Sequence, residues 1–140
     1  REVLLNIAAK AAIVLPGISE ANFLFGENSI DQYAKKFIHN GASMVIIKEG
    51  SKGAHYFTEE GQGFVPSYHV ARVVDPIGAG DGFAAGVLSG LLENLSLEKA
   101  IARGNAVGAM VTMVSGDVEG LPDLAEIEAF LNDNKEDVNR

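Results

Sequence analysis

The sequence predicts an α/β fold with a helix-covered, partly parallel sheet. Three observations carry that expectation. Met44-Val45-Ile46-Ile47 is an unbroken apolar run, the pattern of a strand covered on both faces. A strand-like segment, two helical segments and this run follow one another, which is how parallel strands are joined. A glycine-rich stretch, Gly78-Ala79-Gly80-Asp81-Gly82, then follows an extended segment and opens a helix.

The elements follow in chain order. From Glu2 to Ala11, residues Val3, Leu4, Ile7, Ala8 and Ala11 recur at helical spacing. Ile13-Val14-Leu15 reads as a short buried strand closed by Pro16-Gly17. Ser19 caps a short helix through Phe25, which Gly26 stops. Ser29 and Gln32 form the pair of a capping box. The helix they open has the stripe Ile30, Tyr33, Ala34, Phe37, Ile38 and ends at Asn40-Gly41, a left-handed cap. Gly50 and Gly53 bracket a turn between Met44–Ile47 and a returning strand, Ala54 to Thr58, so this hairpin adds an antiparallel portion. After a turn at Glu59 to Gly63, Phe64 to Val74 reads as extended. Helices are expected from Asp81 to Glu93, from a Ser96 cap to Val114, and from Asp123 with the stripe Leu124, Ile127, Phe130, Leu131. The polar tail from Asn132 is expected to fray.

The chain of 140 residues fits one domain. Eleven basic against nineteen acidic side chains give a net charge of -8, which argues against nucleic acid or an anionic membrane as a partner. There is no cysteine, so disulfides and thiolate metal sites are excluded. His39, His55 and His69 have no zinc-ligand spacing. No apolar run is long enough to span a bilayer, no signal peptide stands at the N-terminus, and the expected location is the cytoplasm. The chain starts without Met in what reads as mid-helix, so a portion of a longer protein is expected.

The glycine segment can do chemistry. Gly78, Gly80 and Gly82 permit backbone conformations closed to other residues, and the N–H groups opening the next helix can converge on a phosphate at the positive end of its dipole. A carboxylate at Asp81 would repel that phosphate unless it accepts a proton from an attacking hydroxyl. Two other readings use the same residues. Asp81 can be an ordinary acid in a helix's first turn. Gly80-Asp81-Gly82-Phe83-Ala84-Ala85 also fits a dinucleotide fingerprint, but that needs a second strand about twenty residues on, where the pattern is helical. An interaction module without chemistry would leave the cluster without a purpose.

Four segments together carry a resemblance. Asp75-Pro76-Ile77-Gly78-Ala79-Gly80-Asp81 followed by Gly82-Phe83-Ala84-Ala85-Gly86 resembles the second signature of the ribokinase, or PfkB, carbohydrate kinases. Leu15-Pro16-Gly17-Ile18-Ser19-Glu20 is similar to that family's Pro-Asn-x-x-Glu segment, and Lys48-Glu49-Gly50-Ser51-Lys52-Gly53 to its Lys-x-Gly-x-x-Gly turn. Gly116-Asp117-Val118-Glu119-Gly120-Leu121-Pro122 stands where the family has its C-terminal loop. The order matches, and the loop and the Gly17 form are most similar to the members acting on 2-keto-3-deoxygluconate.

The resemblance implies the C-terminal half of a ribokinase-like three-layer α/β/α fold with a mostly parallel sheet. It implies ATP-dependent phosphorylation of a sugar or sugar acid, with Asp81 as base and the backbone of Ile77, Gly78, Ala79, Gly80 and Asp81 as anion hole. Gly17, Glu20, Lys48, Gly50, Ser51, Lys52, Gly53 and Asn105 would face ATP, and Glu20 would hold Mg²⁺ through water. Asp75, Ile77, Val111, Val114, Gly116 and Gly120 stand where the family binds a monovalent cation such as K⁺. By pattern alone Lys48 is equally a solvated strand-end lysine, Glu20 an acid in a first helical turn, and Asn105 a satisfied core amide. Gly17 in place of the usual Asn, and Pro76 in place of a common Thr, each remove a polar contact. The sugar-binding residues and lid are expected in an N-terminal half that the chain lacks. A sheet truncated there leaves an edge of the kind that pairs between chains, so a homodimer joins the expected partners.

Overall fold

The computed structural model describes residues 1–116 and 119–137, with side chains to 134. The chain forms two compact units, Arg1–Phe64 and the remainder from Val65.

In the first unit, helix α1 (Glu2–Ala8) leads to β1 (Ile13–Val14). Helices α2 (Ile18–Phe25) and α3 (Ile30–His39) then cross to β2 (Met44–Lys48), which pairs parallel to β1 with Ile13 opposite Met44. A single 3₁₀ turn, Gly50–Lys52, reverses the chain into β3 (Gly53–Phe57), antiparallel to β2 with Ile46 opposite Tyr56. The strand β4 (Gln62–Pro66), whose last two residues belong to the second unit, completes the order β1-β2-β3-β4, so the sheet is mixed. Val45, Ile46 and Ile47 are all fully buried, as their unbroken run predicts. Val45 and Ile47 join Ala21, Leu24, Tyr33, Ala34, Phe37 and Phe57 in one core, where Phe25 meets Phe37 edge-on at 4.8 Å. The capping box forms as the sequence predicts. Ser29 Oγ accepts from Gln32 N, and Gln32 Oε1 accepts from Ser29 N. Beside edge strand β1, α1 and α2 enclose an open, largely apolar cleft of about 500 Å³ lined by Leu4, Ile7, Leu15, Phe23 and their neighbours.

The second unit is built on a helical pair, α4 (Ala79–Leu92) and α5 (Leu97–Val111), with α6 (Leu124–Asp137) beside α5. The pair packs backbone against backbone. A Cβ at Gly86 would stand 2.8 Å from Gly104 Cα, and one at Gly90 would stand 2.9 Å from Ala100 Cα. Phe83 and Val87 are buried on α4, while Val107 and Val111 of α5 cluster with Ile127 of α6. Arg103 is buried and donates to Glu93 at 2.9 Å, which holds the Glu93 carboxyl below the usual range.

Several boundaries differ from the expected ones, each for a visible reason. The extended segment expected from Phe64 to Val74 is a strand only to Pro66; beyond it, Val74 N and Asp75 N both donate to Thr112 O of the α5 end rather than to a ladder. Helix α1 stops at Ala8 because Lys10 N and Ala11 N fall back to carbonyls three residues earlier. Helix α5 stops at Val111 for the same reason, and Thr112 Oγ1 donates to Ala109 O at 2.7 Å. Helix α4 opens at Ala79, two residues early, because left-handed Gly78 caps it. The tail expected to fray from Asn132 stays helical to Asp137. Tyr68 meets Phe130 of α6 edge-on, with ring centroids 5.4 Å apart.

Candidate active site

The candidate residues fall in both units. In the first, Gly17 caps α2 with extended backbone, and its N–H donates to Glu20 Oε2 at 2.5 Å. Glycine has no side chain to return the bond, so only half of a capping box exists here. Lys48 ends β2 alongside, with its N–H donating to Pro16 O at 2.8 Å and its Nζ 3.9 Å from Glu20 Oε2. Gly17, Glu20 and Lys48 are therefore brought together at one end of the sheet. Glu20 is well exposed. No cluster of three His, Cys, Asp or Glu side chains gathers anywhere among the described residues. A Mg²⁺ ion fits such a site only if waters and phosphate oxygens supply most of its ligands, which is its usual habit.

The turn that follows Lys48 depends on two glycines. Gly50 (φ +58) and Gly53 (φ +137) adopt conformations that L side chains rarely take. Ser51 and Lys52 between them are exposed. Lys52 Nζ donates to Glu49 Oε1 at 2.7 Å, and His55 Nε2 lies 3.0 Å from Glu49 Oε2. A carboxylate only accepts, so Nε2 carries the proton in this contact. The hydrogen bond from Lys52, then that from His55, holds the Glu49 carboxyl below its ordinary range. Sequence reasoning placed Glu49 only within the turn motif and weighed His55 only as a zinc ligand. Spacing puts Glu49 three residues before Lys52, but only the β2–β3 register brings His55 to the same carboxylate.

In the second unit, Gly78 (φ 79, ψ -13) turns the chain into α4. The first intrahelical bond runs from Gly82 N to Gly78 O and the Ala79 N–H donates to Pro76 O at 3.4 Å, so the N–H groups of Gly80 and Asp81 open the helix. Asp81 is the acid of that first turn and is exposed. The Ile77 N–H, expected in the anion hole, donates instead to Asp75 Oδ1 at 3.0 Å. The Asp75 carboxylate thus closes a turn just before the helix. At the far end of α5, Val114 N donates to Val111 O at 3.3 Å, and Gly120 is pressed against Val111, where a Cβ would stand 3.2 Å from its carbonyl oxygen. Gly116 takes a left-handed φ of 112. Asp117 and Val118 of the same motif lie outside the described residues. Asn105 is 4 % exposed, and its amide donates to the carbonyls of Val65 and Pro66, both at 3.1 Å.

The dinucleotide reading requires a strand about twenty residues after the glycines. Helix α5 occupies that place, so the βαβ unit is absent. No helix among the described residues is long and apolar enough to cross a membrane.

Residues 1–124 match the family described as pfkB family carbohydrate kinase. The 2-dehydro-3-deoxygluconokinase of Bacillus subtilis (strain 168) is 43 % identical over 127 residues, covering 91 % of this chain and 39 % of its own length. An E. coli protein described as a ribokinase II and solved with ATP and Mg²⁺ superposes with a TM-score of 0.88 at 31 % identity, covering 95 % of this chain and 43 % of its own. The aminoimidazole riboside kinase of Salmonella enterica, solved with aminoimidazole riboside and an ATP analogue, gives 0.84 at 32 % identity, covering 93 % and 45 %. The chain therefore spans about two-fifths of the length of the relatives it matches.

Proposed function

This chain belongs to the pfkB family of carbohydrate kinases, and from that premise we propose that it is the nucleotide-binding portion of an enzyme that phosphorylates 2-dehydro-3-deoxygluconate with ATP. The observation that supports this most is the exposed Asp81 carboxylate in the first turn of α4, beside N–H groups that open the helix. Asp81 takes the proton of the sugar hydroxyl as its oxygen forms a bond to the terminal phosphorus of ATP. The bond from that phosphorus to the oxygen of ADP breaks. The N–H groups of Gly78, Ala79, Gly80 and Asp81 stabilise the charge on the phosphoryl group in flight.

Gly17, Glu20, Lys48, Gly50, Ser51, Lys52, Gly53 and Asn105 are proposed to serve the nucleotide. Glu20 would hold Mg²⁺ through water, and that ion would neutralise phosphate charge. Asp75, Ile77, Val111, Val114, Gly116 and Gly120 are proposed to surround a monovalent cation. The groups that select the sugar are placed outside this chain, in keeping with the two-fifths coverage of its relatives. Two copies are proposed to pair along the β1 edge of the sheet, and the enzyme is placed in the cytoplasm.

The test is a coupled ADP-release assay on the protein that carries this chain, offered 2-dehydro-3-deoxygluconate, ribose and fructose in turn. Turnover of the sugar acid above the other two is expected. Preference for ribose or fructose would keep the kinase and replace the substrate, while the absence of turnover with all three would overturn the reading. Sedimentation that stays monomeric at high concentration would remove the dimer.

A further inference from the structure

Glu49 stands at the start of the glycine turn and touches both of its ends. Inside the turn, the Glu49 N–H donates to Gly53 O at 2.8 Å and the Lys52 N–H donates to Glu49 O at 3.2 Å. Outside it, one carboxylate oxygen takes Lys52 and the other takes His55, which lies beyond Gly53 on β3. The His55 ring is itself backed by Phe64, with ring centroids 4.6 Å apart. The two positive-φ glycines would otherwise leave this segment free to move, because glycine restricts its own backbone least.

Lys52 and His55 therefore meet a carboxylate rather than standing free for a ligand. Resting on the nucleotide reading above, we infer that Glu49 is a positioning residue for nucleotide binding. Its carboxylate straps Lys52 and His55 together so that the Gly50–Gly53 backbone is held ready for phosphate. Lys52 then acts through Glu49 and does not itself contact the nucleotide. The depressed Glu49 carboxyl agrees with an ionised strap at neutral pH. Lys52 is 71 % exposed, and exposed ion pairs are weak, so the effect of cutting the strap is modest.

The experiment is calorimetric titration of the protein that carries this chain with a non-hydrolysable ATP analogue and Mg²⁺, for wild type, Glu49→Ala, Lys52→Ala and the double variant. Each single change is expected to weaken binding about threefold, and the double change no further than either single one. His55→Leu is expected to match Glu49→Ala, while His55→Gln, which keeps an N–H for the carboxylate, restores wild-type affinity. Unchanged circular dichroism across the set separates this from unfolding. In turnover assays on the protein that carries this chain, the strap variants are expected to raise KM for ATP and leave kcat in place. Losses that add between Glu49→Ala and Lys52→Ala would show direct nucleotide contact by Lys52 and overturn the inference. So would wild-type affinity in Glu49→Ala, or a fall in kcat alone, and both would leave the kinase reading standing. A wild-type protein with no affinity for the analogue would remove both readings.

Discussion

Asp81 owes its interest to what its neighbours leave undone. The Ile77 N–H is engaged by Asp75, the Ala79 N–H by Pro76 and the Gly82 N–H by Gly78, while the amides of Gly80 and Asp81 open the helix beside an exposed carboxylate. Asp81→Asn keeps the shape and removes the base. In the proposed enzyme it is expected to lower kcat by about two to four orders of magnitude with little change in KM for ATP, as steady-state kinetics would show. Unchanged kcat would remove Asp81 from the role. A second residue invites a pH test. Glu93 has its carboxyl lowered by the Arg103 hydrogen bond, so the pair adds stability above the ordinary glutamate range. That stability is lost as pH falls through the lowered folded value. Thermal melting from neutral pH into acid should show a steeper decline for wild type than for Glu93→Gln. The positions of Asp81, Gly78 and Lys48 were legible in the sequence because glycine spacing and strand ends leave a local trace. The engagement of Asn105 by Val65 and Pro66 was not, because it joins positions far apart in the chain.

At the scale of elements, the α4–α5 pair is the most constrained contact. Gly86→Ala would bring a Cβ to 2.8 Å from Gly104 Cα and 3.0 Å from Arg103 O, and backbone cannot rotate aside. Overpacking of this kind costs about 1–3 kcal/mol, against about 1 kcal/mol returned by helix propensity. A lower midpoint in urea is therefore expected for Gly86→Ala, and likewise for Gly104→Ala, whose Cβ would meet Phe83 O at 2.8 Å. Ser29→Ala should cost about 1 kcal/mol through its cap, while Ser29→Gly should cost less. Helix identities were readable from periodicity and caps, and so were both ends of α3; the ends of α1 and α5 were not. Where α1 and α5 stop depends on a switch to bonds between residues three apart, and the strand expected to reach Val74 ends early because its later amides turn to Thr112.

At the scale of the whole molecule, the sheet order and the parallel β1–β2 pair follow from connection lengths, since two helices separate these strands. The division into two compact units was not legible, because no composition shift marks Phe64 from Val65. The isolated chain is expected to give no phosphorylation of 2-dehydro-3-deoxygluconate in a radiolabelled ATP assay, since the sugar-selecting groups are proposed to lie elsewhere. Detectable product would overturn that division of labour. The cleft beside β1 has a practical consequence for anyone handling this chain. Its walls of Leu4, Ile7, Leu15 and Phe23 offer a lipophilic dye the sort of shelter normally found in half-unfolded proteins. Bright anilinonaphthalene sulfonate fluorescence is thus expected from fully native material, and Phe23→Ser should dim it while the melting curve stays cooperative.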